Sequence, residues 1–519
     1  MPLATRWHCE HAWLGPGRVA SGVVIQVEGE RITRVEAGGS GGLKSETPTT
    51  ASGGPGRPSG SPPVNQGSGG LKSETPTTAS GGPGRPSGSP PVNKVPPPPD
   101  ARVLRGLTLP GFANAHSHAF HRLLRGRTHR AGGDFWRWRE LMYQAAATLD
   151  PDGYHQLARA VFAEMALAGW TAVGEFHYLH HQPGGRPYQD PNAMGAALCA
   201  AAAEVGIRLT LLDTCYLWAG VGRQEPGPVQ RRFSDGTPAA WAARVERLRR
   251  EAEAGTLPGA AEGLVRVGAA IHSVRAVAPD ELGEVAAWAR AAGAPLHVHL
   301  SEQAAENHDC LAHTGLRPAA LLDEAGALGP GTTAVHATHL DAGDLRRLGA
   351  AGGFACLCPT TERDLGDGIG PAAELRDAGA RLCVGSDSNT VVDPFEETRA
   401  VELDDRLRLE RRGIHDPDEL LVAATANGYA SLGWEPVGLR SGSLADFVTV
   451  SLASRRLAGS VLGEGGAADL AAAVLFAAAP DDVTDVVIGG REVVAGGRHA
   501  RYDDVAGLLT AAARRLRRG

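Results

Sequence analysis

Between residues 109 and 435 the chain alternates short apolar runs with Ala/Leu/Arg-rich stretches of helical length, and few folds accommodate that pattern. Parallel strands need a long crossover between neighbours, which a helix supplies, so repeated strand–helix units build a parallel sheet with helices packed outside it. Eight apolar runs stand out: FANAHSH (112–118), TAVGEFHY (171–178), RLTLLDTCY (208–216), VRVGAAIHS (265–273), PLHVHLSE (295–302), TTAVHATH (332–339), GFACLCP (353–359) and RLCVGSD (381–387). Eight units over this length predict an α/β fold of the (βα)8 TIM barrel type. Most of the runs carry polar residues at their C-terminal ends, the rim where such barrels place their chemistry.

The flanks read differently. VVIQVEGERITRVEAG (23–38) predicts two short strands around a turn, RVLRGLTLPG (102–111) resumes strand character, and GSLADFVTVSL (442–452) and DVTDVVIGGREVVAGGRHA (482–500) return to short strands with Gly turns. We expect residues 1–108 and 436–519 to join in one small composite β-sandwich domain with a terminal helix, around a barrel domain of 109–435. Residues 39–65 recur letter for letter at 67–93. A unit of Gly, Ser, Pro and Thr cannot offset its ordering entropy by burial, so the duplicated insert 39–93 is expected to be disordered, an elongated hairpin loop in the β domain.

The formal net charge of −7 is spread over intermixed acidic and basic residues, with no basic stripe to track a phosphate backbone. On that ground no nucleic-acid partner is expected. No apolar stretch is long enough to span a bilayer and the N-terminus lacks a signal-peptide core, so the expectation is a cytoplasmic protein without a membrane partner. The seven cysteines include no Cys-x-x-Cys pair. Cys356 and Cys358, in an apolar strand, read as small buried hydrophobes.

His116 and His118 close the first barrel strand. A His-x-His pair on a strand points both imidazoles to one face, as two ligands of one metal require. Three further strand ends carry His299, His336 and Asp387, so the fifth, sixth and eighth strands complete a metal-binding constellation. The alternative for any single one of these histidines is a hydrogen-bonded core residue. The only three lysines, Lys44, Lys72 and Lys94, lie in or beside the insert, so no barrel strand supplies a carboxylated lysine bridge and a mononuclear site follows. Glu302, three residues after His299, stands where it could shuttle a proton for a metal-bound water.

Taken with DFWRWRELMY (134–143), GEFHYLHH (174–181), IHSVRAV (271–277), HVHLSEQ (297–303), VHATH (335–339), LGDGI (365–369) and GSDS (385–388), the HSHAF stretch at 116–120 resembles the N-formimidoylglutamate deiminase family, in the aminohydrolase branch of the amidohydrolase superfamily. The resemblance implies a barrel of the metal-dependent hydrolase type holding one Zn2+ on His116, His118, His299 and Asp387; iron can replace zinc in such sites. It implies that Glu302 shuttles the proton, that His336 and Asp387 orient the attacking hydroxide, and that Arg139, Tyr178, His272 and Arg275 line the substrate pocket. Where the family's motif usually continues with glutamine this chain has His121, which alters one substrate contact. The implied activity is hydrolytic deimination of N-formimidoyl-L-glutamate to N-formyl-L-glutamate and ammonia, a step of histidine breakdown, by a homodimer.

Two arginines suit a small-molecule substrate with two carboxylates, because the guanidinium fork binds carboxylates through paired charge-assisted bonds. The other reading of Arg139 and Arg275 is a salt bridge on a helix. Rival functions are a deaminase of a nucleobase, guanidine or triazine on the same barrel, and a metal-binding scaffold without turnover. Deleting residues 39–93 is expected to leave catalytic activity within about twofold of the full chain, as surface insertions are tolerated; loss of soluble enzyme would show that the insert carries structure.

Overall fold

The computed structural model describes residues 5–37, 97–128, 135–460 and 467–516. The duplicated insert 39–93 lies outside the described residues. Four strands precede the barrel: β1 (Thr5–Trp13), β2 (Val19–Glu28), β3 (Arg31–Glu36) and β4 (Ala101–Pro110). All eight expected barrel strands form: β5 (Phe112–Ser117), β6 (Trp170–His177), β7 (Arg208–Cys215), β8 (Val265–Ile271), β9 (Leu296–Leu300), β10 (Thr332–His336), β11 (Phe354–Leu357) and β12 (Arg381–Val384). They pair in chain order and in parallel.

The ring closes between β5 and the end of β12 through a parallel bridge from Ser117 to Asp387. Asp387 N–H donates to His116 O and His118 N–H donates to Asp387 O, both at 2.9 Å. Closure removes the open sheet edges. Helices fill the crossovers with capping that the sequence carries: Asp150, Thr237, Asp341 and Asp393 each accept backbone N–H bonds at an N-terminus. Left-handed glycines such as Gly169 and Gly206 end two of them.

The remaining strands are β13 (Phe447–Val450), β14 (Val483–Ile488), β15 (Arg491–Ala495) and β16 (Arg498–His499). They share one eight-stranded mixed sheet with the N-terminal strands, in the order β16-β15-β14-β13-β4-β1-β2-β3. The seam between the two chain ends is the antiparallel pair of β13 and β4, with Val448 opposite Leu109. Trp7, Ile25, Leu104, Phe447 and Val487 are buried together on this sheet, each contributing about 1.5–3 kcal/mol through removal of apolar surface from water. Arg208, at the start of β7, ties sheet to barrel: it bonds Asp446 at 2.6 and 3.1 Å, and Tyr429 donates to the same carboxylate at 2.7 Å. Buried charges persist only when paired and bonded in this way.

The hairpin reading of the insert is corrected. β3 is the sheet edge and β4 lies inside it, with β1 and β2 between them, because β1 pairs with β4 in parallel and with β2 antiparallel. The two strands that flank the insert are therefore not neighbours in the sheet and do not form a hairpin. β1 (TRWHCEHAW), not among the expected strands, alternates polar and apolar residues from Arg6 to Glu10 and loses the alternation at His11, where its register with β4 shifts. Cys356, Cys358 and Cys383 pack with Ala115, Val335 and Phe354 as buried thiols, in line with the hydrophobic reading. Among the described residues, no helix is long and apolar enough to cross a membrane.

Gly385 allows β12 to approach β5. A Cβ there would meet His116 O at 2.7 Å and His116 Cβ and N at 2.8 Å. Gly385→Ala is expected to cost about 1–3 kcal/mol of stability, the range for overpacking a filled interior, measured as a lowered urea midpoint with an unchanged m value; an unaltered midpoint would show that the closure is looser than this contact implies.

Candidate metal centre and substrate pocket

The C-terminal ends of β9, β10 and β12 leave extended geometry abruptly. Ser301 (φ 50°), His336 (φ 67°), Ala337 (φ 51°), Asp387 (φ 42°) and Asn389 (φ 54°) all lie in the left-handed region, which side chains other than glycine adopt at a cost. That backbone aims His336 and Asp387 at the barrel axis. Strand alternation does the same for His116, while Phe176 faces the axis and His177 points away. Phe176 packs against His116, His118 and His299 with ring centroids 5.0, 5.4 and 4.3 Å away.

Six of the expected residues meet here. Asp387 Oδ1 lies 3.3 Å from His116 Nε2 and 3.4 Å from His118 Nε2. His116 Nε2 is 3.1 Å from His299 Nε2. His336 Nε2 lies 3.9 Å from Asp387 Oδ2 and 3.9 Å from Glu302 Oε1. Two groups, His116–His118–Asp387 and His116–His299–His336, each have spacing suited to a shared ion.

The donor chemistry fits a metal. His118 Nδ1 bonds the carbonyl of Phe176 and His299 Nδ1 bonds the carbonyl of His272, each at 2.9 Å. A carbonyl only accepts, so Nδ1 carries the proton and Nε2 keeps its lone pair toward the axis. Burial, with the neighbouring imidazoles, drives the histidines neutral: His116 falls to about 3, His118 to about 4, and His299 well below its ordinary range. Burial alone would raise Asp387, but His116, His336 and His118 hold it below the usual carboxylate range, so it stays charged. Neutral imidazoles around one carboxylate form a donor set typical of zinc.

His336 departs from that pattern. Burial would lower it, yet Glu302, Glu362 and Asp387 outweigh burial and raise it to about 10. Its Nδ1 bonds Glu362 Oε1 at 3.3 Å, and the same oxygen accepts the Cys358 N–H at 2.8 Å. Glu362 was missed in the sequence because it enters on the helix Pro359–Leu365 rather than at a strand end. Asn389 was missed too. Its amide donates to Ser117 Oγ, His118 O and Asp387 O at 3.1–3.2 Å, while Ser386 Oγ donates to its carbonyl at 2.7 Å. Glu175 accepts the Ala119 N–H at 2.6 Å, just past His118, and burial pushes it up to about 8.

One pocket opens onto this centre, and His121, Arg139, Tyr178, His272, Arg275 and Glu302 all line it. Tyr178 and His121 share a hydrogen bond of 2.9 Å. Arg139, on the helix Phe135–Ala147, donates to Tyr143 at 2.6 Å. Arg275 donates from Nε to Glu306 at 2.8 Å, so it lines the pocket and is also ion-paired. Tyr143, Tyr216, Phe233 and Trp138 add an aromatic wall that the sequence reading did not assign. A further group, His177–His180–Asp213, also has metal-like spacing. There Asp213 already accepts two bonds from Arg244, at 2.7 and 2.8 Å, and one from Trp241 at 3.0 Å. A guanidinium so placed opposes a second cation.

The comparisons agree with this architecture. The chain is similar to a formimidoylglutamate deiminase of Pseudomonas aeruginosa, 40% identical over 411 residues covering 77% of this chain and 87% of the relative. Among solved structures it is similar to an amidohydrolase from Brucella melitensis (30% identity, TM-score 0.79, 99% of each chain covered). An adenosine deaminase from Xanthomonas campestris with bound zinc shares the fold (21% identity, TM-score 0.74, covering 100% of this chain and 98% of that one). The amidohydrolase family model matches residues 107–493, from the end of β4 through the barrel, β13 and β14 into β15. The barrel, its His/Asp centre and these matches together establish that the chain belongs to the amidohydrolase family.

Proposed function

We propose that this chain hydrolyses N-formimidoyl-L-glutamate to N-formyl-L-glutamate and ammonia, with one Zn2+ per chain held by His116, His118, His299 and Asp387. The observation that carries the reading is the pairing of two arginines, Arg139 and Arg275, with Glu302 in the pocket that opens onto the metal centre. A substrate with two carboxylates matches two guanidinium groups, and the 40% identical deiminase relative supports the same choice. A bound divalent cation supplies Lewis-acid activation of water at neutral pH.

The chain's own groups supply the rest. Arg139 and Arg275 hold the carboxylates, and Tyr178, His121 and His272 bound the substrate between them. Asp387 and His336, facing the same space, accept hydrogen bonds from water or donate to it and so fix its direction of attack. Glu302 takes a proton from the water as its oxygen bonds the formimidoyl carbon. It delivers that proton to the imino nitrogen and then passes the remaining hydroxyl proton to the same nitrogen; the carbon–oxygen double bond of the formyl group forms as the carbon–nitrogen bond breaks, and nitrogen leaves as ammonia rather than as a strongly basic amide ion. We place this enzyme in the cytoplasm as a homodimer. The aromatic wall of Tyr143, Tyr216, Phe233 and Trp138 favours a second reading, deamination of a planar heterocycle, which stacking would hold.

Ammonia release by the purified, metal-analysed protein separates the two. Turnover selective for N-formimidoyl-L-glutamate over N-formimidoyl-L-aspartate, guanidino acids, cytosine and guanine is expected; preference for a base would favour the heterocycle reading. Glu302→Gln is expected to lower kcat by about 10²–10⁴-fold, the usual contribution of a general acid–base group, while metal content stays unchanged. An active Glu302→Gln variant would remove the proton-transfer role.

A further inference from the structure

Glu306 stands in the first turn of the helix Ala304–Thr314 and is almost completely buried, 2% exposed. Its two carboxylate oxygens serve different partners. Oε2 accepts the Arg275 Nε–H at 2.8 Å, and Oε1 accepts the backbone N–H of Ser301 at 2.8 Å. Ser301 is the left-handed residue directly before Glu302, and its hydroxyl is bonded to Asn307 of the same helix turn at 2.7 Å. One carboxylate therefore holds both the peptide that carries Glu302 and the guanidinium across from it. On the other side, Arg275 Nη2 lies 3.9 Å from Glu302 Oε2, within ion-pair range but beyond hydrogen-bonding distance.

We propose that Glu306 is a positioning residue that keeps Arg275 off Glu302, so that the arginine stays available to a substrate carboxylate and the glutamate stays available to move a proton. The inference rests on the roles given to Arg275 and Glu302 above. Its physical basis is that a buried guanidinium requires a counter-charge. Glu306 supplies one in the fixed geometry of an Nε bond, which leaves the Nη groups toward the pocket. With Glu306 neutralised, the nearest carboxylate in the pocket is Glu302. A short movement would close an Arg275–Glu302 ion pair that blocks substrate binding and proton transfer together. A glutamine at this position still accepts from Ser301 N–H through its amide oxygen, so Glu306→Gln tests the charge while sparing the turn.

Two readouts on the metal-loaded full chain decide the matter. In a crystal structure of Glu306→Gln, Arg275 is expected within hydrogen-bonding distance of Glu302, about 3 Å; a separation unchanged from 3.9 Å overturns the proposal. In kinetics with N-formimidoyl-L-glutamate, Glu306→Gln is expected to raise KM and lower kcat together, reducing kcat/KM by about 10–100-fold, as misplaced positioning groups do. The same substitution made in an Arg275→Met background is expected to cost less than about twofold, because the group it releases is gone. An equal loss in both backgrounds would mean that Glu306 acts only on the fold and would overturn the proposal. Should Glu306→Gln be insoluble, Glu306→Asp, which keeps the charge, is expected to hold Arg275 at about 3.9 Å from Glu302; an Arg275–Glu302 hydrogen bond in that variant would overturn the proposal. Failure of the unsubstituted enzyme to turn over N-formimidoyl-L-glutamate would count against the functional reading, while the crystallographic readout would still test the Arg275–Glu302 approach.

Discussion

Two backbone hydrogen bonds, from Asp387 N–H to His116 O and from His118 N–H to Asp387 O, close the barrel and in the same act assemble its chemistry. The eighth strand end is inserted between the two histidines of the first, so the carboxylate arrives within 3.3–3.4 Å of both Nε2 atoms. Asn389 ties the closure from the other side by donating to both Asp387 O and His118 O. Gly385 provides the room for the strands to meet, since any larger residue would strike His116. Fold and site therefore cannot be separated at this position. A barrel that closed elsewhere would still bury its core, but it would leave His116 and His118 without their carboxylate.

Burial gives the centre its charge state. Imidazoles in a dry interior give up their protons, and those on β5 and β9 are pushed down until only lone pairs face the axis. Asp387 resists the same burial because the imidazoles around it favour its anion. His336 is surrounded by Glu302, Glu362 and Asp387 and is pulled the opposite way. Five residues in one small volume thus divide into neutral donors, an anion and a site that favours a cation. Environments that push titratable groups apart are how a single pocket separates ligation from proton handling.

Much of this was legible in the sequence because strands and metal ligands both obey short periods. The eight apolar runs became eight parallel strands, and His116, His118, His299, His336 and Asp387 fall at the ends where alternation and strand termini place them. The pocket residues His121, Arg139, Tyr178, His272 and Arg275 were named from resemblance and Glu302 from its spacing to His299, and all six line one cavity. Residues whose importance depends on a partner far along the chain stayed hidden. Glu362, Glu306 and Asn389 lie on helices or in turns, and nothing in their local sequence says which backbone group or imidazole they will meet. β1 was hidden for a related reason: its alternation is short and ends at His11, and only pairing with β2 and β4 on both sides makes it a central strand. That pairing also made the hairpin expectation for the segment after β3 wrong.

The proposed function requires one metal and two carboxylate sites to share this pocket. The most direct measurement is a crystal structure of the metal-loaded Glu302→Gln variant soaked with N-formimidoyl-L-glutamate. A single anomalous metal peak bounded by His116, His118, His299 and Asp387 is expected, with one substrate carboxylate on Arg139 and the other on Arg275. A metal lodged at His177–His180–Asp213, or a substrate whose carboxylates avoid both arginines, would contradict it.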